Sequence, residues 1–201
     1  MDPDDVEQGE LGDCYYLAVL SAFAEHNGMV KELFYTRKAN PLGIYLVFFY
    51  INGVRTPVVI DDYLPCRGKR LAFSKAKSGG EIWVCLMEKA WAKLHHSYAS
   101  IAGGLPSMSS THLFALPSFD FDHKEISLND KKTVEIVFDW LALADKQNYS
   151  IVTSSPGQGE GDTGTGIAAG HAYSITEIHF IRSSRGVERL LKIRNPWGRV
   201  E

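Results

Sequence analysis

The sequence predicts an α+β fold in two subdomains: a mainly helical first half with a small β-hairpin, then a second half built on an antiparallel sheet. Three observations lead there. Strong helical periodicity is confined to a few segments, the longest of them before residue 100, while alternating β-branched runs dominate after residue 146. Asn52-Gly53 joins two β-rich runs and suits a type I′ hairpin turn. The stretch GGLPSMSSTHLFALPS has the glycine, proline and serine content of a turn or hinge, and the character of the chain changes after it. A boundary near residue 115 follows, dividing the chain into 1–115 and 116–201.

Taken in order, Gly12 and Asp13 precede the apolar segment CYYLAVLSAFAEH, whose Leu17, Leu20, Ser21 and Ala24 recur at spacings of three and four. A helix starting near Cys14 is the natural reading. Residues 44–51 and 54–60 form the hairpin. In EIWVCLMEKAWAKLHHSYASI, Trp83, Leu86, Met87, Ala90, Trp91 and Leu94 share one stripe, as in a helix packed on a core, with Cys85 beside it. The second half opens with a helix over roughly 131–145 and continues with the strand-like segments NYSIVTSS, HAYSITEIHFI and ERLLKIRN. Between the first two lies SSPGQGEGDTGTGIAAG, too long for an ordinary turn and without the GK[ST] ending of a phosphate-binding loop.

Composition excludes several classes of function. The chain is 45% hydrophobic and 22% charged, with net charge -3, a pI near 6.2 and no block of lysines or arginines, so nucleic acid is not an expected partner. No apolar run is long enough for a transmembrane segment, and the acidic start MDPDD is unlike a signal peptide. Cys14, Cys66 and Cys85, odd in number and widely spaced, fit neither a disulfide framework nor a zinc knuckle. A reducing, cytoplasmic setting is expected. His95 and His96 are adjacent on a predicted helix and point about 100° apart, so they do not readily share a metal ion.

Cys14 draws attention because a helix N-terminus stabilises a thiolate through its unpaired N–H groups and positive dipole end. Alone, it reads more readily as a small buried hydrophobe, the commoner fate of a cysteine. The neighbours decide. Gln8, across a turn containing Gly9 and Gly12, can offer an amide donor in front of the sulfur, which with the Cys14 N–H makes an oxyanion hole. His171 opens a predicted strand after the glycine-rich loop, and Asn195 ends the last strand in NPWG, where it can accept from the histidine's Nδ1 and hold the ring toward the sulfur. The order Cys, His, Asn is that of the papain-like proteases.

QGELGDC, GHAYSIT and IRNPWG resemble the three active-site motifs of the calpains, the calcium-dependent cysteine proteases, and IDDYLP and LMEKAWAKLHHSYASIAGG are similar to further calpain core segments. The resemblance implies a papain-like fold with Cys14 as nucleophile, His171 as general base and acid, Asn195 as the orienting residue, Gln8 as oxyanion donor and Trp197 shielding the His–Asn contact. It further implies calcium as cofactor, with Asp5, Glu88 and Glu201 at acidic ligand positions, peptide substrates bound in extended conformation, and regulatory domains or subunits outside this chain. Two departures stand out. Tyr15 follows the cysteine where the family usually has tryptophan, and the family's core continues past NPWG, so the second subdomain is expected to be C-terminally truncated. A calpain-like module that binds without cleaving is the alternative.

Overall fold

The computed structural model describes residues 1–78, 80–122, 130–157, 159, 161, 163–184 and 186–198. After a 3-10 turn, Pro3–Asp5, come strand β1 (Val6–Glu7), helix α1 (Cys14–Ala24), the short helix α2 (Met29–Glu32), the hairpin β2 (Ile44–Ile51) and β3 (Val54–Asp61), and the short strands β4 (Cys66–Arg67), β5 (Arg70–Leu71) and β6 (Lys75–Ala76). Helices α3 (Trp83–Leu94), α4 (Pro106–Phe114) and α5 (Lys131–Lys146) follow, then strands β7 (Ile151–Ser154), β8 (Ala172–Ser183) and β9 (Gly186–Arg194). The sheets are antiparallel: β1 pairs with β6, β2 with β3, β4 with β5, and the last three strands lie in the order β7-β8-β9. This is the mixed α+β architecture expected.

Helix α1 is the centre of the molecule. The sequence suggested one apolar stripe, yet all eleven residues are buried, because α1 has neighbours on every side. An all-round apolar helix belongs inside a core, and CYYLAVLSAFA carries no charge to forbid it. On one side α3 stacks Trp91 on Tyr16, with ring centroids 4.7 Å apart, and Phe49 of β2 meets the same indole at 5.8 Å. On another, β8 lies along the helix, and the Ser174 hydroxyl donates to the Ala18 carbonyl at 2.8 Å. Among the described residues the buried apolar cluster runs from Val6 to Leu113 and takes in Ala172 of the second half.

The hairpin forms as predicted: Asn52 (φ 51°) and Gly53 (φ 76°) both adopt the left-handed conformation that a type I′ turn requires. The stretch read as a turn or hinge is different, since its middle is helix α4. Pro106 at the first helical position has the right φ already, and Ala115 at φ 53° ends the helix. Between them Leu113 is fully buried and Phe114 packs edge-on to Phe23 of α1 at 4.6 Å. Tertiary contact with α1 and β2 thus outweighs the weak helix propensity of three serines and a threonine. Helix α5 has no buried residue, and its Ile136, Trp140 and Leu143 are exposed.

Candidate active site

Cys14 is the first residue of α1 and is 8% exposed. The N–H groups of Tyr16 and Leu17 donate to the carbonyl of Asp13, at 2.9 and 3.1 Å, so the turn carrying the sulfur is closed on the residue before it. Gln8 is buried, and its side-chain nitrogen donates to the Leu11 carbonyl at 2.7 Å, holding the 8–11 turn in shape. An amide NH2 has two hydrogens, and Leu11 takes one of them. The backbone N–H of Gln8 donates to the Pro196 carbonyl at 2.7 Å, joining the segment before the cysteine directly to NPWG.

His171 is fully buried just ahead of β8. Its nitrogen Nε2 lies 2.8 Å from Asn195 Oδ1, and the backbone N–H of Trp197 donates to that same oxygen at 2.9 Å. A backbone N–H only donates, so the shared atom is the amide oxygen, and His171 must carry its hydrogen on Nε2. Nδ1 is then the basic nitrogen. This corrects the expectation that Asn195 would accept from Nδ1. Asn195 lies one residue beyond the β8–β9 pair Ser174–Arg194, and His171 lies three residues before Ser174. The Trp197 indole sits 4.6 Å from the imidazole at 39°, and Tyr173 meets it edge-on at 4.9 Å.

Ser155 is a residue that sequence reasoning did not single out. Its N–H donates to the His171 carbonyl at 2.9 Å, and its hydroxyl accepts from the His171 N–H at 3.0 Å. The same hydroxyl donates to the Ala168 carbonyl, so both ends of the glycine-rich loop are tied where the histidine emerges. A serine before a proline carries no mark of this role in the sequence. Tyr15, the departure from the family pattern, is also accounted for. Its hydroxyl accepts from Trp91 Nε1 at 3.2 Å, and its ring lies so close to Gly104 that a Cβ there would be 2.5 Å from Tyr15 Cζ. The tyrosine therefore fills the space between α3 and the start of α4.

The predicted acidic ligands form two clamps on one segment. Asp5 is buried, which pushes its pKa up, but the hydroxyl and N–H of Ser78 donate to Oδ1 and hold the carboxyl below its usual range. Glu88 is 1% exposed, and burial pushes it up to about 7, although the Ser74 N–H, 3.0 and 3.2 Å from its two oxygens, and a hydrogen bond with the Asp13 carboxyl oppose this. Asp13 is fully buried and immediately precedes Cys14. Glu201 lies outside the described residues. Hard oxygen donors of this kind suit calcium, but no group of three histidine, cysteine, aspartate or glutamate residues stands ready to hold a metal among the described residues. Backbone carbonyls or water would have to complete such a site. Cys66 and Cys85 are free thiols, the first exposed, the second buried with its pKa pushed up to about 11 by burial.

The family model described as "Calpain family cysteine protease" matches residues 1–201. The chain is 34% identical over 197 residues to the calpain-type cysteine protease DEK1 of Arabidopsis thaliana, covering 97% of this chain and 9% of that protein. It is 32% identical over 204 residues to calpain-8 of Homo sapiens and 32% over 205 residues to the calpain-2 catalytic subunit of Rattus norvegicus, covering 98% of this chain and 28% of each relative. The chain thus spans between about a tenth and just over a quarter of the length of these relatives. It belongs to the calpain family of cysteine proteases.

Proposed function

We propose that this chain is the core of a calcium-dependent cysteine endopeptidase that cleaves intracellular proteins in the cytoplasm, with Cys14 as nucleophile and His171 and Asn195 as its partners. The observation that carries the reading is the His171 Nε2 to Asn195 Oδ1 bond at 2.8 Å, because it supports Nδ1 as the nitrogen that acts as base. With Nε2 committed, Nδ1 takes the proton from the Cys14 thiol, and the dipole of α1 favours the resulting thiolate. The sulfur attacks the carbonyl carbon of an extended peptide. The oxyanion is held by the Cys14 N–H and by the Gln8 side-chain amide. Nδ1–H then protonates the leaving amine, and the neutral imidazole next takes a proton from water as it attacks the thioester.

Trp197 covers the His–Asn bond with its indole, keeping water from competing for Asn195. Asp5 and Glu88 would hold calcium from two sides of the 74–78 segment, and the ion's chemistry there is to balance buried carboxylates by oxygen coordination. The two halves, 1–115 and 116–201, are read as the two walls of the substrate cleft, with regulatory domains or subunits outside the chain.

The test is calcium-dependent labelling of Cys14 by a peptidyl epoxide, together with casein cleavage and a Cys14→Ala control in the full-length protein. Labelling and cleavage that need both calcium and Cys14 are expected. Equal turnover by wild type and Cys14→Ala would refute the reading, and peptide binding without any cleavage would instead identify a non-catalytic calpain-like module.

A further inference from the structure

Arg194 ends β9, one residue before Asn195, and its guanidinium reaches entirely into the first half. Its Nε donates to Asp4 Oδ1 at 2.7 Å, Nη1 donates to Ser21 Oγ at 3.3 Å, and Nη2 pairs with Glu25 Oε1 at 2.6 Å. Asp4 lies in the 3-10 turn before β1, Ser21 is within α1, and Glu25 is at its C-terminal end. Ser21 is itself anchored, since its hydroxyl donates to the Pro3 carbonyl at 3.1 Å. Opposite Arg194 on the ladder stands Ser174, whose hydroxyl reaches the Ala18 carbonyl one turn nearer Cys14. The strand following His171 and the strand leading to Asn195 are therefore both fastened to the helix that begins with Cys14.

We propose that Arg194 is a positioning residue for the reaction assigned above, on which this inference rests: its three-way grip sets the register of the His171–Asn195 pair against Cys14. Two features separate this from ordinary stabilisation. The carboxylate side chains are well exposed, Asp4 73% and Glu25 43%, and exposed ion pairs contribute little to folding. A guanidinium, however, presents its N–H groups in a fixed planar fork, so three partners on two elements define its orientation in a way a single ammonium does not. Because Asn195 is the next residue, a tilt of Arg194 is passed directly to the amide that holds the imidazole. A misplacement of about 1 Å at a reacting pair costs on the order of a hundredfold in rate.

The experiment compares Arg194→Ala, Arg194→Lys and the pair Asp4→Asn/Glu25→Gln with wild type in the full-length protein, with calcium and a fluorogenic peptide amide. Expected for both Arg194 variants is a fall in kcat of about 10- to 100-fold with KM changed less than about threefold and little change in Tm. Lysine restores charge without the fork, so it does not rescue kcat. The Asp4/Glu25 pair, which keeps Arg194 and Ser21, loses a smaller share. The second readout is the pH profile of Cys14 alkylation by iodoacetamide. In wild type the imidazole assists formation of the thiolate, so alkylation is expected to extend further to the acid side than in Arg194→Lys, where the imidazole is displaced from the sulfur. Wild-type kcat and an unchanged alkylation profile in Arg194→Lys would overturn the proposal. Absence of cleavage and of acid-side alkylation in wild type itself would instead overturn the protease reading beneath it.

Discussion

Replacing Asn195 by alanine removes an oxygen that serves two donors at once, His171 Nε2 at 2.8 Å and the Trp197 N–H at 2.9 Å. His171 is fully buried, so water has no ready access to replace the lost acceptor, and a buried donor left unsatisfied costs about 1–3 kcal/mol. In the proposed reaction this imidazole is protonated as the thiolate forms, and its Nε2–H then leans hardest on the acceptor. If the whole cost is felt in the transition state, at about 1.36 kcal/mol per factor of ten, kcat falls roughly 5- to 150-fold. KM should change little, since Asn195 has no reason to touch substrate. Asn195→Asp keeps an acceptor oxygen in the same place and should retain most of the rate. The assay is steady-state hydrolysis of a fluorogenic peptide with calcium, with protein concentration corrected by active-site titration. Asn195→Ala turning over within twofold of wild type, while Cys14→Ala is dead, would refute the claim that the amide fixes the working tautomer.

Leu113→Ala should cost about 2–5 kcal/mol in urea unfolding, because Leu113 is fully buried under α4, whereas Met108→Ala on the exposed side of the same helix should cost under about 0.5 kcal/mol. Tyr15→Phe should destabilise by about 1–3 kcal/mol by stranding Trp91 Nε1 while leaving kcat of the folded enzyme near wild type, as steady-state kinetics on the purified variant will show. His95 and His112 stack with centroids 5.6 Å apart beside Trp91; burial holds both imidazoles below their ordinary range, and the nearby charges of His112 and His96 lower His95 further. A His pKa lowered by folding gives stability that is complete above about pH 6.5 and lost as pH falls through the folded value, so His112→Gln should flatten the drop in urea midpoint between about pH 7 and 5.

The helix at Cys14, the hairpin at Asn52-Gly53 and the α3 stripe were legible because each depends on local chemistry: an apolar period, a turn dipeptide, a run of good helix formers. Helix α4 was not, because its serines and glycine-proline surroundings carry turn chemistry and only the contacts of Leu113 and Phe114 with α1 and β2 make it helical. The three motifs in order single out Gln8, Cys14, His171, Asn195 and Trp197 as candidates, but they carry no sign of the pairing of Nε2 rather than Nδ1. That choice rests on side-chain geometry between residues far apart in sequence, which no spacing along the chain reveals. Ser155 and Arg194 were missed for the same reason. Each acts on a partner far away in sequence, Ser155 on His171 and Arg194 on Asp4, Ser21 and Glu25.

Tyr15 had left open whether the chain keeps the family's chemistry, and its surroundings turn that question into one of packing. The aromatic side chain directly after Cys14 lies against the segment leading into α4, and Gly104 is there with no Cβ to obstruct it. Tyrosine brings a hydroxyl into that buried space, which would cost free energy if it found no partner. Trp91 supplies one through its indole N–H, and Trp91 in turn lies flat on Tyr16, the next residue of α1. Tyr15, Trp91, Tyr16 and Gly104 therefore pack as a unit. A substitution that removes one of these rings or fills the space at Gly104 acts on the seating of the first turn of α1, and so reaches Cys14 through the backbone rather than through contact with the sulfur.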